Sequence, residues 1–381
     1  MPRFDPQALK AAQESARQKA ELGSNTTDLL LSVGQEVVAP EHPHATEELA
    51  TRYMGLVLRN PIIASAGPLS QTADGIKALS DGGVGAVVMY SLLEEQIRYE
   101  AAHAAELEEE VNNSFAEALS YFPTTSSNNS GLTTTYLKTL EDGAAGVDIP
   151  VIASLNGSVN GEWTHTAKQM AEAGAAGIEL NVYWVPGDFT PAREVEKRYL
   201  DILASVKSEV EIPVAMKLSP FFSSFGEMAH KLDDAGADAL VIFNRYLQPD
   251  IDLERMQTTS GFELSGPGDA RLPRSWIAAL FGRLHASLAA TSGVESVNDV
   301  IKYVLAGADV VMTTAALVRN GADYAGLLVD GLVGWLHRKG LTLNQARGML
   351  AVPRESAVEE YARAGYVSGL EQAKSRYGKR L

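Results

Sequence analysis

Four side chains stand where an apolar run gives way to a loop, the usual place for a group that acts on a bound molecule. They are Asn156 in Ile-Ala-Ser-Leu-Asn-Gly, Asn181 in Leu-Asn-Val-Tyr, Lys217 in Val-Ala-Met-Lys-Leu-Ser-Pro and Asn244 in Val-Ile-Phe-Asn-Arg. A carboxamide both donates and accepts hydrogen bonds, so a ring of asparagines suits a flat heterocycle or an amide-rich ligand. A lysine inside an apolar run is costly unless it is paired or used. It offers either a cation for an electron-rich ring or an amine for a Schiff base. Tyr90, Ser91, Tyr183, Trp184 and Arg245 complete the set of run-end residues. None of these positions holds a histidine or a carboxylate. That argues against metal-assisted hydrolysis and against paired-carboxylate glycoside chemistry, and no metal is expected.

A second chemistry-bearing segment lies near the C-terminus. Ala286 to Val294 reads Ala-Ser-Leu-Ala-Ala-Thr-Ser-Gly-Val, and a later run ends Val-Val-Met-Thr-Thr-Ala-Ala-Leu. Two consecutive apolar runs thus finish in small residues, Ser292-Gly293 and Thr314-Ala315. Main-chain N–H groups at such ends, assisted by the dipole of the following helix, hold phosphate.

The elements that must position these residues repeat along the chain. From Asn60 onward, runs of strand length alternate with longer helical patterns. The strand candidates are Pro61–Ala66, Ala86–Ser91, Val151–Leu155, Gly177–Val182, Val214–Leu218, Ala239–Phe243, Ser287–Ala290 and Asp309–Thr313. Four of the helical stretches close on one phrase: Asp81-Gly82-Gly83-Val84, Ala173-Gly174-Ala175, Ala235-Gly236-Ala237 and Ala306-Gly307-Ala308. A glycine there ends a helix in the left-handed conformation, and the next strand begins shortly after. Near-continuous apolar strands imply a parallel sheet buried on both faces. Eight βα units predict an α/β fold, a (β/α)₈ TIM barrel, whose chemistry sits at the C-terminal ends of the strands and whose phosphate site follows strands 7 and 8.

Residues 1–50 read as an N-terminal helical extension, 51–350 as the barrel and 351–381 as a C-terminal helical tail. Two connections are long. Leu92–Pro150 follows strand 2, with an acidic piece from Glu94 to Glu110 and a Ser/Thr/Asn-rich stretch from Thr124 to Thr135; Arg245–Ala286 follows strand 6. The 381 residues carry 32 Lys plus Arg against 48 Asp plus Glu, a formal charge of −16. Such a surface repels nucleic acid and anionic membrane, so an anionic ligand needs a local cluster of donors. The chain has no cysteine, which excludes disulfides, thiolate metal sites and a cysteine base. Neither a signal peptide nor a membrane-spanning run is visible, and a cytoplasmic location is expected.

Asn60-Pro61 with Ala64-Ser65-Ala66-Gly67, the Ile-Pro-Val-Ala-Met-Lys-Leu-Ser-Pro run, Phe-Asn-Arg-Tyr-Leu-Gln-Pro-Asp-Ile-Asp and the Ser-Gly-Val/Ala-Gly-Ala-Asp-Val-Val pair together resemble the dihydroorotate dehydrogenases. The resemblance runs from about Tyr53 to about Met349. It implies an FMN-containing barrel that oxidises or reduces a C–C bond beside a carbonyl in a dihydropyrimidine. On that resemblance Ala66 and Gly67 lie along the flavin, with Ser91, Asn156 and Asn181 also at the cofactor. Lys217 stabilises the reduced ring, Ser265 and Gly266 approach it, and Ser292, Gly293, Thr314 and Ala315 hold the phosphate. Tyr90, Asn181, Asn244 and Arg245 face the substrate. Two positions depart from the family pattern. The cysteine or serine base after strand 4 is replaced by Tyr183-Trp184-Val185-Pro186, which makes Tyr183 the nearby proton carrier. The substrate-binding lysine after strand 2 is replaced by Tyr90. Two other uses of the same barrel are a Lys217 Schiff-base aldolase acting on a phosphorylated substrate, and a flavin-binding barrel without catalysis. The expected partner is a small molecule, and since barrels of this kind often dimerise, a homodimer is one expected assembly.

Overall fold

In the computed structural model the described residues are 47–99, 131–157, 163–184, 189–245, 250–259 and 263–378. Eight parallel strands close into a barrel: β1 (Ile62–Ala64), β2 (Ala86–Leu93), β3 (Val151–Gly157), β4 (Gly177–Val182), β5 (Val214–Leu218), β6 (Ala239–Ile242), β7 (Ser287–Ala290) and β8 (Val310–Thr313). All eight strands expected from the sequence are present, each within a few residues of its expected bounds. Neighbours in sequence are neighbours in the ring, and β8 returns to pair with β1. The expected N-terminal helical extension lies outside the described residues. So do the acidic piece beyond residue 99 and the polar stretch up to residue 130.

Strand alternation divides the core in two. Ile62, Val87, Val151, Ile178, Leu180, Val214, Met216 and Leu240 belong to the larger apolar cluster, which includes the surrounding helices. Ile63, Val88, Ile152, Val241, Val310 and Met312, with Ala86, Ala215, Ala239 and Ala289, form the smaller interior one. Tyr53, Met54 and Leu58 join that interior set from an antiparallel hairpin, Thr51–Tyr53 with Leu56–Leu58. Thr51 Oγ1 donates to Asp309 O at 3.2 Å, and Met54 N donates to Ser287 Oγ at 3.2 Å. Both partners precede or begin barrel strands, so the hairpin caps the N-terminal mouth and leaves the opposite mouth for chemistry.

The helices that follow the strands are α1 (Ala73–Asp81), α2 (Leu132–Ala145), α3 (Trp163–Glu172), α4 (Ala192–Lys207), α5 (Phe225–Asp234), α6 (Arg271–Leu280), α7 (Val297–Ala306), α8 (Ala315–Asn320) and α9 (Tyr324–Lys339). Asn60, which opens the first unit, is fully buried. Its amide donates to Gly83 O at 2.8 Å, and its Oδ1 accepts from Ile62 N at 3.0 Å, which fixes the start of β1. The connection after β6 carries an exposed hairpin, Asp250–Asp252 with Gln257–Thr259, ahead of α6. Beyond the barrel, α10 (Leu343–Ala346) is short and α11 (Val358–Tyr377) has no buried residue. Among the described residues no helix is long and apolar enough to cross a membrane.

The four helix-closing phrases each place a glycine in the left-handed region: Gly83, Gly174, Gly236 and Gly307, with φ from 89° to 118°. At Gly307 (φ 118°) the constraint is doubled, because a Cβ would approach the Phe281 ring at 2.5 Å. Left-handed backbone and overpacking each cost on the order of 1–3 kcal/mol. Gly307→Ala is therefore expected to lower unfolding stability by about 2–4 kcal/mol, read from urea midpoints at unchanged slope.

Candidate active site

A cavity of about 600 Å³ opens at the C-terminal mouth of the barrel. Of the residues singled out in the sequence, Ala66, Gly67, Tyr90, Ser91, Lys217, Asn244, Arg245, Ser265, Ser292, Gly293, Thr314 and Ala315 line it. They come from the ends of β1, β2, β5, β6, β7 and β8 and from the segment before α6. Asn181 stands just behind this wall. Its Oδ1 accepts from Asn244 Nδ2 at 2.9 Å, and it sits in register with Asn156 on β3 and Lys217 on β5. Tyr183 and Gly266 do not line the cavity. Tyr183 follows β4, with its main-chain N–H on Gly157 O at 3.1 Å. Trp184 carries the Arg198 guanidinium stacked 3.6 Å from its ring centroid. Gly266 N donates to Asp269 Oδ2 at 2.9 Å, behind the neighbouring Ser265.

One end of the cavity is built from main chain. Ser292 (φ 76°) and Gly293 (φ 67°) are consecutive left-handed residues, and serine takes that conformation at a cost. Surrounding bonds hold the turn. Tyr303 from α7 donates its hydroxyl to Thr291 O at 3.1 Å and to Ser292 O at 2.8 Å. Ser292 Oγ donates to Phe243 O at 3.3 Å, and Gly293 N donates to Ser265 Oγ at 3.2 Å. A Cβ on Gly293 would approach Ala270 N at 2.5 Å, so this turn packs main chain against main chain. Arg319 from α8 donates to Ser265 O at 3.0 Å and Leu264 O at 3.3 Å, pinning the facing segment. Across from it, Thr314 Oγ1 donates to Ser65 O at 2.8 Å, and a Cβ on Gly67 would run into the Thr314 side chain.

The other end carries the polar side chains. A register shift between Val88 and Ser91 on β2 is a bulge of the kind that re-aims side chains, and Tyr90 and Ser91 both reach the cavity. Ser91 Oγ pairs with Ser154 Oγ at 2.9 Å. The Tyr90 ring meets Tyr136 edge-on at 5.0 Å between centroids, and burial pushes the Tyr90 phenol up, away from the range of a useful base.

Lys217 is buried, and its Nζ donates to Glu179 Oε1 at 3.1 Å. Glu179 adds an acid that the set of run-end residues did not include: it points into the barrel from β4, two residues before Asn181, and is fully buried. Its signal was present in the sequence, a charged residue inside the apolar run Gly-Ile-Glu-Leu-Asn, the same signal that exposed Lys217. Thr291, Phe243, Gln71 and Gln96 also line the cavity without having been singled out.

Among the described residues the lining contains no carboxylate and two cations, Lys217 and Arg245, in a chain of formal charge −16. The site is thus a local donor-rich field inside an acidic molecule, suited to an anionic ligand. The comparisons agree with that chemistry. Residues 48–336 match the family model described as dihydroorotate dehydrogenase. The chain belongs to this family. It is 28% identical over 310 residues to the dihydroorotate dehydrogenase B (NAD(+)) catalytic subunit of Methanocaldococcus jannaschii, covering 79% of this chain and 97% of the relative. It is 24% identical over 303 residues to the subunit of the same name from Methanothermobacter thermautotrophicus, covering 77% and 95%. The corresponding subunit of Methanosarcina mazei is 28% identical over 295 residues, covering 75% and 90%. The protein is a dihydroorotate dehydrogenase-like oxidoreductase acting on a CH–CH donor, in a family that depends on flavin.

The strained turn gives a direct test of the main-chain end. Ser292→Ala keeps the left-handed cost and loses the hydroxyl bond; Ser292→Gly loses the same bond but relieves the backbone. The glycine variant is expected to exceed the alanine variant in unfolding stability by about 1–2 kcal/mol, and equal stabilities would remove strain from this turn.

Proposed function

We propose that this chain binds FMN across the C-terminal mouth of the barrel and uses it to interconvert a dihydropyrimidine-type substrate and its unsaturated product. The observation that carries this reading is a cavity whose described lining has a main-chain cradle at one end, Lys217, Asn244 and Arg245 at the other, and no carboxylate among the described residues. The residues fit the group. Ser292, Gly293, Thr314 and Ala315 would hold the phosphate by main-chain N–H and hydroxyl groups. Ala66 and Gly67 offer an edge nearly free of side chains to a flat ring. Ser91, Asn156, Asn181, Ser265 and Gly266 complete the cofactor surroundings on the family pattern. FMN, when bound, supplies a two-electron acceptor.

The chain's own residues would do the rest. Lys217 contributes a buried positive charge at the cavity wall, where it favours an electron-rich ring. Asn244, held by Asn181, presents a donor and acceptor to an amide-containing substrate. Tyr90 and Arg245 flank the substrate side, and Arg245 is the cation suited to a carboxylate. Tyr183 is the proton carrier on the family resemblance, although it stands outside the cavity lining, and the proton step is therefore tested separately. The bond between Lys217 and Glu179 speaks against the aldolase alternative, because it engages the amine that would have to attack a carbonyl.

Purified protein is expected to be yellow and to bleach on anaerobic mixing with dihydroorotate or dihydrouracil. A colourless protein that takes up no added FMN would sink the cofactor assignment. Arg245→Ala is expected to raise KM for an anionic dihydropyrimidine by about tenfold or more with kcat changed less, the pattern of lost ground-state binding, since a charge-assisted hydrogen bond contributes about 1.5–3 kcal/mol. Tyr183→Phe tests the proton step separately. It is expected to slow substrate-driven flavin reduction by at least about 100-fold while FMN affinity stays unchanged, and native reduction rates in this variant would move the proton to another group.

A further inference from the structure

Glu179 has no place in the chemistry described so far, yet it is a charged residue inside an apolar barrel strand. It is fully buried, in register with Ser154 on β3 and Ala215 on β5. One oxygen, Oε1, accepts from Lys217 Nζ at 3.1 Å. The other, Oε2, is the sole buried side-chain polar atom among the described residues without a hydrogen-bond partner. Lys217 is the only cation paired with it among the described residues. The phenols of Tyr53, on the capping hairpin, and Tyr136, on α2, are pushed up by burial first and by this carboxylate's field as well. The barrel bears the cost of a buried acid whose hydrogen-bonding capacity is only half used. Replacing such a pair with apolar residues is frequently neutral or stabilising, so stability alone is a weak reason for it.

Resting on the FMN reading, we propose that Glu179 is a positioning residue that sets the charge Lys217 presents to the cavity. Lys217 lines the cavity and Glu179 stands behind it. A lone ammonium would present a full positive charge to a ring that becomes anionic on reduction. An ammonium backed by a carboxylate at 3.1 Å presents a dipole, whose field falls off faster with distance. The pair limits how strongly the reduced ring is favoured over the oxidised one. Glu179 thereby holds the reduction potential down, and with it the driving force for passing electrons onward.

The test reads potential and binding in place of turnover. In the FMN-loaded protein at pH 6, Glu179→Gln is expected to raise the ratio of oxidised to reduced FMN dissociation constants by about tenfold, which is about 30 mV of midpoint potential for a two-electron couple. The double variant Glu179→Gln/Lys217→Met, neutral like the native pair, is expected to return close to the native potential. Glu179→Asp keeps the charge and retracts it by one methylene. It is expected to move the potential in the same direction by less, and it keeps the idea testable if the glutamine variant does not fold. A native potential in Glu179→Gln, or a double variant that retains the full shift, would overturn the role of Glu179 while leaving FMN binding intact. A native protein that binds no FMN would instead bring down the cofactor reading and this inference with it.

Discussion

The closure of β8 onto β1 is the constraint on which the rest of this structure depends. Those strands are separated by nearly the whole barrel in sequence, and they meet through a parallel ladder of Val311 with Ile62, Met312 with Ile63 and Thr313 with Ala64. Ser65 N continues the ladder to Thr313 O at 3.1 Å. Once that seam is closed, Thr314 lies against Gly67, and only glycine leaves room for its side chain. The flat edge at Ala66-Gly67 and the small-residue end at Thr314-Ala315 therefore arise from one packing event. An open sheet with the same strands would hold these residues apart, and no single ligand could touch both.

Much of this was legible in the sequence because it was written in periodicity and punctuation. Buried parallel strands must be apolar on both faces, and helices that turn directly into strands need a left-handed residue, so strand runs and glycine phrases both follow from backbone geometry. Strand-end residues then fall at one mouth without further information, which is why Lys217, Asn244, Ser292 and Thr314 converge as expected. What was not legible depends on register and on distant partners. The capping hairpin consists of strands of three residues each, too short for a periodic signal, and its role is visible only where Tyr53 and Met54 meet the barrel interior. The bulge that brings both Tyr90 and Ser91 to the cavity is a property of the pairing between β2 and β3. Glu179 was visible as an oddity in its own strand, but its partner lies 38 residues away and is recognisable only when the two strands are neighbours.

The electrostatics of the molecule follow a division between outside and inside. The chain has a surplus of 48 acidic over 32 basic residues, yet among the described residues the cavity lining is free of carboxylates. Several surface acids are tied up in helix-spaced pairs such as Lys77 with Asp81 and Lys197 with Asp201, which contribute little to stability individually. Asp233 serves a structural end. Burial works against its ionisation, but hydrogen bonds from His285 N, Ala286 N and the His285 ring outweigh that and hold the carboxyl below its ordinary range. It thereby ties α5 to the segment leading into β7, at the opposite end of the barrel from the cavity. Glu179, an acid buried in the barrel interior near the site, is paired in place with Lys217.

The departures from the family pattern point the same way when read as a redistribution of charge. The position after strand 2 that carries a lysine in the family pattern is Tyr90 here, packed edge-on against Tyr136 and with its phenol pushed up by burial. That side of the cavity presents a flat, neutral wall. Arg245, from the end of β6, lines the cavity and donates to the main-chain oxygen of Glu263, which braces its guanidinium from the segment before α6. Two of its neighbours in that segment, Leu264 and Ser265, are braced in turn by Arg319. A guanidinium fixed by main-chain acceptors loses less freedom on binding a carboxylate than a free lysine does. On the proposed function, recognition of an anionic substrate would thus pass from the β2 side of the barrel to the β6 side. Tyr90 would be left to shape the pocket, with its ring and not its charge.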